Sequence, residues 1–285
     1  MSKKNKNKSN KTGMNAISTI ISFLLSIFLT LICYLCGTYF GLFNKALILD
    51  AMNKSSYYES VNSYTYDEAV NLAIPANLNE SIFDGVFSLN DTYREGKAYL
   101  EATLNGEHYT IDTTKIRSKL SENIKKYIAE SNISPDAYND NNINTFIDDV
   151  CRIYVSNLAV PYLSYYNGIK SMFKQIMLIG LPVLIILSLI SIFLLTKTQK
   201  WIHRSLRYVA YSFLAAALMT TIMPAFLLIT GGYSRLNLSP EFFSRLLSKY
   251  LGQSLMMYIY TSVIMLSAAL IVILLVYYTR KKIVR

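Results

Sequence analysis

Four long stretches of the chain contain no charged residue. A helix that crosses a hydrocarbon core about 30 Å thick needs roughly 20 apolar residues, and all four stretches are longer than that. Backbone polar groups in lipid must be satisfied within the segment, and the alternating ten-residue segments of a membrane β-barrel do not occur in the sequence. The pattern therefore predicts four transmembrane helices, at residues 15–43, 173–196, 208–231 and 253–279. The charge-free stretches lie between Lys11 and Lys45 (33 residues), Lys174 and Lys197 (22), Arg207 and Arg235 (27), and Lys249 and Arg280 (30).

The first apolar stretch is predicted to be a retained transmembrane helix. A cleaved signal peptide has an apolar core of about 7–15 residues followed by small residues at the cleavage site. The run from Ile17 to Phe43 is much longer and has no convincing small-x-small exit. Neither Cys33 nor Cys36 follows the small residue that a lipoprotein site requires.

Residues 44–172, between the first two spans, are long enough for one small domain, which we expect to be mainly helical. The clearest helix is predicted at residues 115–130, where apolar residues recur on one face. Others are predicted from Ile143 to a break at Pro161 and, upstream, as tyrosine-rich helices that end at Pro75. The apolar residues of these patterns are Ile116, Leu120, Ile124, Tyr127 and Ile128; Phe146, Ile147, Val150, Ile153, Tyr154 and Leu158; and Tyr57, Tyr58, Val61 and Tyr64.

One segment of this domain, residues 97–112, permits two structures. Asn105-Gly106 is a strong signal for a two-residue hairpin turn. Gly106 is equally suited to end a helix in the left-handed conformation. Because the preceding run, from about Asn90 to Leu104, is too long for a typical strand, we favour the helix and leave the hairpin as the alternative.

The outer loop at residues 232–252 is predicted to contain an amphipathic helix. Ser239-Pro240-Glu241 has the order of cap, first-turn proline and acid that a helix start prefers. The helix is either interfacial or an outward extension of the fourth span packed on the outside domain. Its apolar face would consist of Phe242, Phe243, Leu246, Leu247 and Tyr250.

Charge is distributed unevenly along the chain and predicts its orientation. The net charge is +10, from 28 Lys+Arg and 18 Asp+Glu. The tail at residues 1–14, the link at 197–207 and the tail at 280–285 carry bases and no acid, and four crossings place all three on one side. Because basic segments stay on the cytoplasmic side, both termini are expected in the cytoplasm. Residues 44–172, in which 17 acids outnumber 11 bases, are then expected outside.

These patterns predict an all-α membrane protein with four transmembrane helices and a mainly helical extracytoplasmic domain inserted between helices 1 and 2. Only 16% of the residues are charged, which excludes an ordinary water-soluble domain, and the 52% hydrophobic content excludes disorder. The basic surplus lies in short inner segments that attract anionic lipid headgroups, so nucleic acid is not expected as a partner. We expect a plasma-membrane location. Cys151 is the one cysteine of the outside domain, so no disulfide can form within it, and this agrees, as does its Lys- and Asn-rich composition, with the surface of a bacterium, which we expect as the source.

The sequence indicates no metal-binding or cofactor-binding residues. Cys33-Tyr34-Leu35-Cys36 has the spacing of a metal site but lies in an apolar helix without further ligands nearby. The run Asp140–Asn144 matches the first three ligand positions of a calcium loop. The match then fails, because Thr145 and Cys151 stand where such a loop needs Gly and Glu.

Catalytic residues are not indicated either, and we expect the protein not to be an enzyme. Asp148 and Asp149 are adjacent, so on a helix they point about 100° apart and cannot share a proton. The two histidines, His108 and His203, have no nucleophile suggested by the local sequence. No Gly-rich phosphate loop occurs in the chain.

Small and hydroxylated residues form two rows within the spans. Residues four apart lie on one helix face, and small residues there allow close helix–helix contact, so we interpret both rows as packing surfaces. The rows are Ser18, Ser22, Ser26 and Thr30 in the first span and Ser212, Ala216 and Thr220 in the third.

The leading functional hypothesis is a non-enzymatic accessory, scaffold or sensor protein that acts through its acidic outside domain. A protein partner or self-association is expected, in addition to the lipid bilayer. The alternative is a small transporter or channel subunit in which the Ser/Thr rows, with Thr221, line a polar path. The apolar stretches contain none of the charged residues that usually mark ion routes, which counts against the alternative.

The predicted orientation can be tested by cysteine labelling in intact cells. In a variant without the three native cysteines, Ser131→Cys is expected to react with a membrane-impermeant maleimide, whereas Thr198→Cys is not. Both positions should react after the membrane is permeabilised, which controls for accessibility. The reverse pattern in intact cells would overturn the orientation.

Overall fold

The structure is a computed structural model that describes residues 2–130, 140–160, 163–235 and 238–284. None of these residues lies in a strand. Short 3-10 turns cover Ile74–Ala76, Glu80–Phe83 and Gly232–Ser234. The α-helices, in chain order, are α1 (Ser2–Gly41), α2 (Lys45–Lys54), α3 (Tyr57–Ala73), α4 (Leu89–Asn105), α5 (Thr114–Glu130), α6 (Asp140–Leu158), α7 (Leu163–Thr198), α8 (Ile202–Thr230) and α9 (Glu241–Val284).

The prediction of four membrane-spanning helices is confirmed. Helices α1, α7, α8 and α9 each contain a segment long and apolar enough to cross a membrane. These segments are Gly13–Gly41, Tyr165–Thr198, Ile202–Thr230 and Glu241–Lys281. Their outer surfaces carry many exposed Leu, Ile, Val and Phe side chains, which is the surface that lipid requires.

The chain divides into two compact units. The membrane unit comprises Met1–Ile48, Lys170–Leu236 and Ser248–Arg285. The insert unit comprises Leu49–Ile169 and Asn237–Leu247.

In the membrane unit, α1 and α8 pack through a pair of serines. The hydroxyl of Ser22 donates to the carbonyl of Tyr208 at 2.9 Å, and that of Ser212 donates to the carbonyl of Ser22 at 2.7 Å. These bonds run in both directions, which fixes the register of the two helices. The two predicted rows therefore meet as a packing surface. The surrounding buried apolar residues are Leu25, Leu29, Leu195, Val209 and Ala216.

A second close contact in this unit joins α1 to α9. This contact was not predicted from the sequence. Gly37 and Gly41 are four residues apart, so both lie on one face of α1. A Cβ on Gly37 would come within 2.5 Å of the Tyr258 ring, and one on Gly41 within 2.9 Å of the Ser254 carbonyl oxygen. Both glycines are therefore needed for the backbones to approach.

The insert unit has its own apolar core. On α5, three residues of the predicted stripe, Ile116, Leu120 and Ile124, are buried, whereas Tyr127 and Ile128 are only partly buried. Rings from α3, α6 and the segment between α3 and α4 complete the core. Those in mutual contact are Tyr66, Phe83, Phe87, Phe146 and Tyr154.

Residues 97–112 contain a helix end and not a hairpin. Helix α4 ends at Asn105, and Gly106 follows with φ of 84°, in the left-handed region. The amide of Glu107 donates to the carbonyl of Ala102 at 2.9 Å, and that of Gly106 to Thr103 at 3.1 Å. This pair of bonds satisfies carbonyls that the helix end would otherwise leave free, which is why glycine ends the helix here.

The boundaries of α6 and α9 agree only in part with those predicted from the sequence. Helix α6 begins at Asp140, three residues before the predicted start, and ends at Leu158; Pro161 lies outside the described residues. The outer-loop helix begins at Glu241 and continues into the fourth span as α9. Its first turn packs in the insert unit, where the ring of Phe242 meets those of Tyr57 and Tyr64 edge to face at 5.5 Å.

Substitution of Ser212 tests the contact between α1 and α8. Ser212→Ala removes the interhelical hydrogen bond and should lower the free energy of unfolding by about 0.6 kcal/mol. Ser212→Leu also inserts bulk against Ser22 and should cost about 1–3 kcal/mol. The measurement is the thermal unfolding midpoint of the purified protein in detergent. Ser267→Leu is the control, because Ser267 is exposed and bonds to its own helix, and an equal loss in that variant would contradict the assignment.

Candidate functional site

The motifs considered in the sequence as ligands form ordinary helical contacts. The run that begins at Asp140 is wound into the first turns of α6 and not into a loop. Asp148 forms an ion pair with Arg117 of α5, and Asp149 lies 3.2 Å from Arg152 on its own helix. Among the described residues, no group of three or more His, Cys, Asp or Glu side chains is arranged to hold a metal ion.

The hydroxyls proposed as a polar path bond to backbone carbonyls. Thr220 donates to Ala216 and Thr221 to Ala217, both at 2.8 Å along α8. Thr30 likewise donates to Ser26 on α1 at 2.8 Å. Donation to the preceding turn satisfies a hydroxyl inside an apolar environment and leaves a smooth surface for packing.

A concavity with a volume of about 500 Å³ lies in the insert unit. It lies where the end of α2, the start of α3 and the start of α4 meet. This volume is in the range of small-molecule sites. We call it the tyrosine cavity, and its lining residues are Met52, Asn53, Ser56, Tyr57, Tyr58, Glu59, Leu89, Asn90 and Tyr93.

Three of the residues that line the tyrosine cavity are tyrosines whose rings pack edge to face on one another. The rings of Tyr57 and Tyr58 are 5.6 Å apart at 83°, and those of Tyr58 and Tyr93 are 5.1 Å apart at 71°. Tyr57 is 1% exposed and Tyr58 6%, whereas Tyr93 is 41% exposed. Tyr57 and Tyr58 are therefore packed inside the unit, and Tyr93 is the one of these three rings that solvent reaches.

Local backbone conformation places the two inner rings. Ser56 has a φ of 49°, so the chain turns through the left-handed region between α2 and α3. The turn directs the consecutive residues Tyr57 and Tyr58 into the unit. The hydroxyl of Tyr58 then reaches the sulfur of Met52 at 3.5 Å.

Gly96 on α4 leaves space for the ring of Tyr58, because it has no side chain. A Cβ at this position would come within 2.5 Å of the Tyr58 ring and 2.8 Å of the Leu158 side chain. Both distances are too short for real atoms, so only glycine allows α4 to approach the ring. Tyr93, one turn earlier on α4, is brought to the cavity by the same approach.

Burial keeps the inner phenols neutral. Removal from water raises the pKa of Tyr57 and of Tyr58 well above the ordinary value of a tyrosine, and neighbouring tyrosines add to the shift. The hydroxyl of Tyr57 is buried and has no hydrogen-bond partner among the described residues. The rings of Tyr57 and Tyr58 are thus uncharged, and the Tyr57 hydroxyl is a buried polar group without a partner among the described residues.

The charged residues that line this region are acidic. Glu59 lines the tyrosine cavity, and it also lines an adjoining cavity of about 410 Å³, which shares Leu89 and adds Asp84. No Lys or Arg among the described residues lines either one. Lys119 lies close to Gly85, which lines only the adjoining cavity.

Glu95, on α4, is a buried carboxylate whose structural role was not predicted from the sequence. Glu95 is buried and accepts hydrogen bonds from the Tyr109 hydroxyl at 2.8 Å and the Asp112 amide at 3.2 Å. The guanidinium of Arg94 lies 3.2 Å from its other oxygen. The hydrogen bond to Glu95 raises the pKa of Tyr109. Glu95 therefore holds the segment after α4 against that helix.

No protein family, curated protein or solved structure matches the chain.

The tyrosine cavity was not predicted from the sequence, although its residues were noted as helical. Tyr57 and Tyr58 were interpreted as part of a helix stripe. The feature of the sequence that could have indicated this site is the pair of consecutive tyrosines, because adjacent residues do not lie on one face of a helix. Tyr93 and Gly96 come from a distant part of the chain, and no local pattern connects them to the pair.

Gly96→Ala tests how α4 shapes the cavity. The added methyl group must displace Tyr58 or Leu158, so the free energy of unfolding should fall by about 1–3 kcal/mol. Gly168→Ala is the matched control, because a Cβ there meets nothing within 4 Å, and it should be neutral or stabilising by about 0.5–1 kcal/mol. Thermal unfolding midpoints and hydrogen exchange at residues 52–59 measure both effects. An unchanged Gly96→Ala protein would show that the close contact does not exist.

Proposed function

We propose that this protein is a multi-pass plasma-membrane protein with cytoplasmic termini. Its insert, residues 44–172, faces outward and acts as a non-enzymatic binding module in an accessory, scaffold or sensor role. The observation that carries the proposal is the tyrosine cavity, a concavity of about 500 Å³ that is supported by the packed residues Tyr57 and Tyr58 and in which Tyr93 is exposed.

The charge distribution supports the orientation. Acids are confined to residues 50–149 and Glu241, whereas the short segments at residues 1–14, 197–207 and 280–285 carry only bases. Retention of Lys and Arg on the cytoplasmic side then directs the acidic insert outward.

The chemistry of the cavity supports binding over catalysis. Its lining offers rings, a thioether, amides and one carboxylate, and it has no His, Cys or Lys among the described residues. General acid–base or nucleophilic catalysis needs a titrating group within reach of an activated partner. Inner walls whose rotamers are locked by packing favour recognition, because little side-chain freedom is lost on binding.

The packing of α1 against α8 reduces the support for a transport path. The serines that such a path would use, Ser22 and Ser212, are both buried and bond across the interface between these helices. A polar path needs hydroxyls that face water or a permeating ion. Binding through the insert is therefore the function that the geometry supports best.

Native mass spectrometry of the protein purified from its own host in mild detergent tests the proposal. The wild-type protein should retain a stoichiometric ligand or partner, and Tyr93→Ala should reduce its occupancy about tenfold or more. Tyr165→Ala is the control, because this tyrosine is exposed and does not line the cavity.

Two results would contradict the binding module. One is a wild-type protein that carries no bound species under conditions that preserve lipid adducts. The other is equal occupancy in the wild-type and Tyr93→Ala proteins, which would move the binding site away from the cavity.

A further inference from the structure

We propose that the membrane unit has a binding site for the phosphate headgroup of an anionic membrane lipid. The site consists of three arginines, which we call the arginine cluster: Arg204 and Arg207 near the start of α8, and Arg280 near the end of α9. This inference goes beyond the proposed function of the insert, and it depends neither on the tyrosine cavity nor on the orientation of the chain.

Two segments that are far apart in the chain converge at the arginine cluster. The positive charges of Arg204, Arg207 and Arg280 all act on the ring of His203, which lies in the first turn of α8. The two helices are neighbours here, because Val209 of α8 packs in the same apolar cluster as a valine of α9, Val272. Orientation in the membrane requires basic residues in each inner segment but does not require the segments to meet.

The arginine cluster has no acidic side chain in its own unit to balance it. None of the 18 Asp and Glu residues lies within residues 1–48, 170–236 or 248–285, which make up the membrane unit. Like charges repel one another at short range, and water and salt weaken this repulsion without removing it. An anion bound by the three guanidiniums would replace the repulsion with attraction, and such an anion must come from another molecule.

The positions of the arginines match the depth at which lipid phosphates lie. Arg207 directly precedes the apolar run at residues 208–231, and Arg280 directly follows the run at residues 253–279. Apolar runs of this length span the hydrocarbon core, and the headgroups lie at its boundary. The three arginine side chains are exposed, so a headgroup can reach them.

Apolar surface next to the arginines favours a lipid over a free phosphate ion. Tyr211 follows Arg207 by four residues and Tyr277 precedes Arg280 by three, so each ring lies on the same helix face as its arginine. The two tyrosines are 59% and 62% exposed. A lipid can contact these rings with its acyl chains while its phosphate binds the guanidiniums, whereas a free phosphate gains nothing from them.

The chemistry of arginine indicates which headgroup binds. A guanidinium can donate two parallel hydrogen bonds to a phosphate, and basic pockets between membrane helices bind anionic headgroups. The headgroup of phosphatidylcholine brings its own cation close to the three guanidiniums, which offsets part of the attraction. Phosphatidylglycerol carries only the negative charge of its phosphate, so we expect it to bind more tightly.

Native mass spectrometry of the full-length protein, freed of lipid in a mild detergent, tests the proposal. The first molecule of phosphatidylglycerol should bind at least about tenfold more tightly than phosphatidylcholine with the same acyl chains. Equal affinities for the two lipids would overturn the proposal. Glycerol 3-phosphate in excess should leave the lipid bound. Its displacement of the lipid would overturn the lipid as the ligand and would indicate a site for a free phosphate ester.

Charge-matched variants locate the site. Arg280→Gln should weaken the binding of the first phosphatidylglycerol about tenfold or more, because it removes a charge-assisted hydrogen bond. Arg280→Lys keeps the charge without the planar fork and should weaken it less. Lys197→Gln is the control, because it removes one exposed charge at the end of α7, where Lys197 lies over the ring of Phe193. Equal weakening by Arg280→Gln and Lys197→Gln would show that overall charge, and not the arginine cluster, binds the lipid.

Hydrogen exchange in nanodiscs tests whether the two segments share one lipid. Residues 202–207 and 276–281 should both exchange more slowly in phosphatidylglycerol than in phosphatidylcholine. Arg280→Gln should reduce this protection in both segments, although the substitution lies in only one of them. Protection of a single segment would overturn the shared site. Unfolding midpoints in lipid-free detergent verify that each variant is folded.

Discussion

A chain inside hydrocarbon must satisfy each of its backbone donors and acceptors without water, and much of this structure follows from that requirement. The four apolar stretches become α1, α7, α8 and α9 because a helix closes all of these bonds within itself. The side chains then have little apolar driving force for association, since lipid is as apolar as they are. Association instead uses close approach and hydroxyl bonds, as at Ser22 with Ser212 and at Gly37 with Tyr258.

The insert unit uses a different balance of forces. Its core is aromatic and apolar, and burial of these rings from water supplies the stabilisation that the membrane-spanning helices cannot obtain. The buried carboxylate of Glu95 is paired inside it with the Tyr109 hydroxyl and the Asp112 amide. The tyrosine cavity forms at the edge of this core, where the exposed Tyr93 packs on the buried ring of Tyr58.

The construction of the cavity is suited to recognition. Packing holds Tyr57 and Tyr58 in place, the absence of a side chain at Gly96 allows α4 to come close, and Tyr93 remains reachable from solvent. A site with immobile walls loses little entropy when it is filled.

The sequence alone determined the four spans, the helical class and the Gly106 helix end, because apolar run length, 3.6-residue periodicity and glycine's left-handed preference are local properties. It also indicated that the serine rows were packing faces. It did not predict the glycine contacts of α1, the buried Glu95 or the tyrosine cavity. Each of these joins residues far apart in the chain, as Tyr58 and Gly96 are, and their proximity depends on how complete helices pack in three dimensions. Local sequence patterns do not encode that packing, so only the tertiary structure shows where these residues meet.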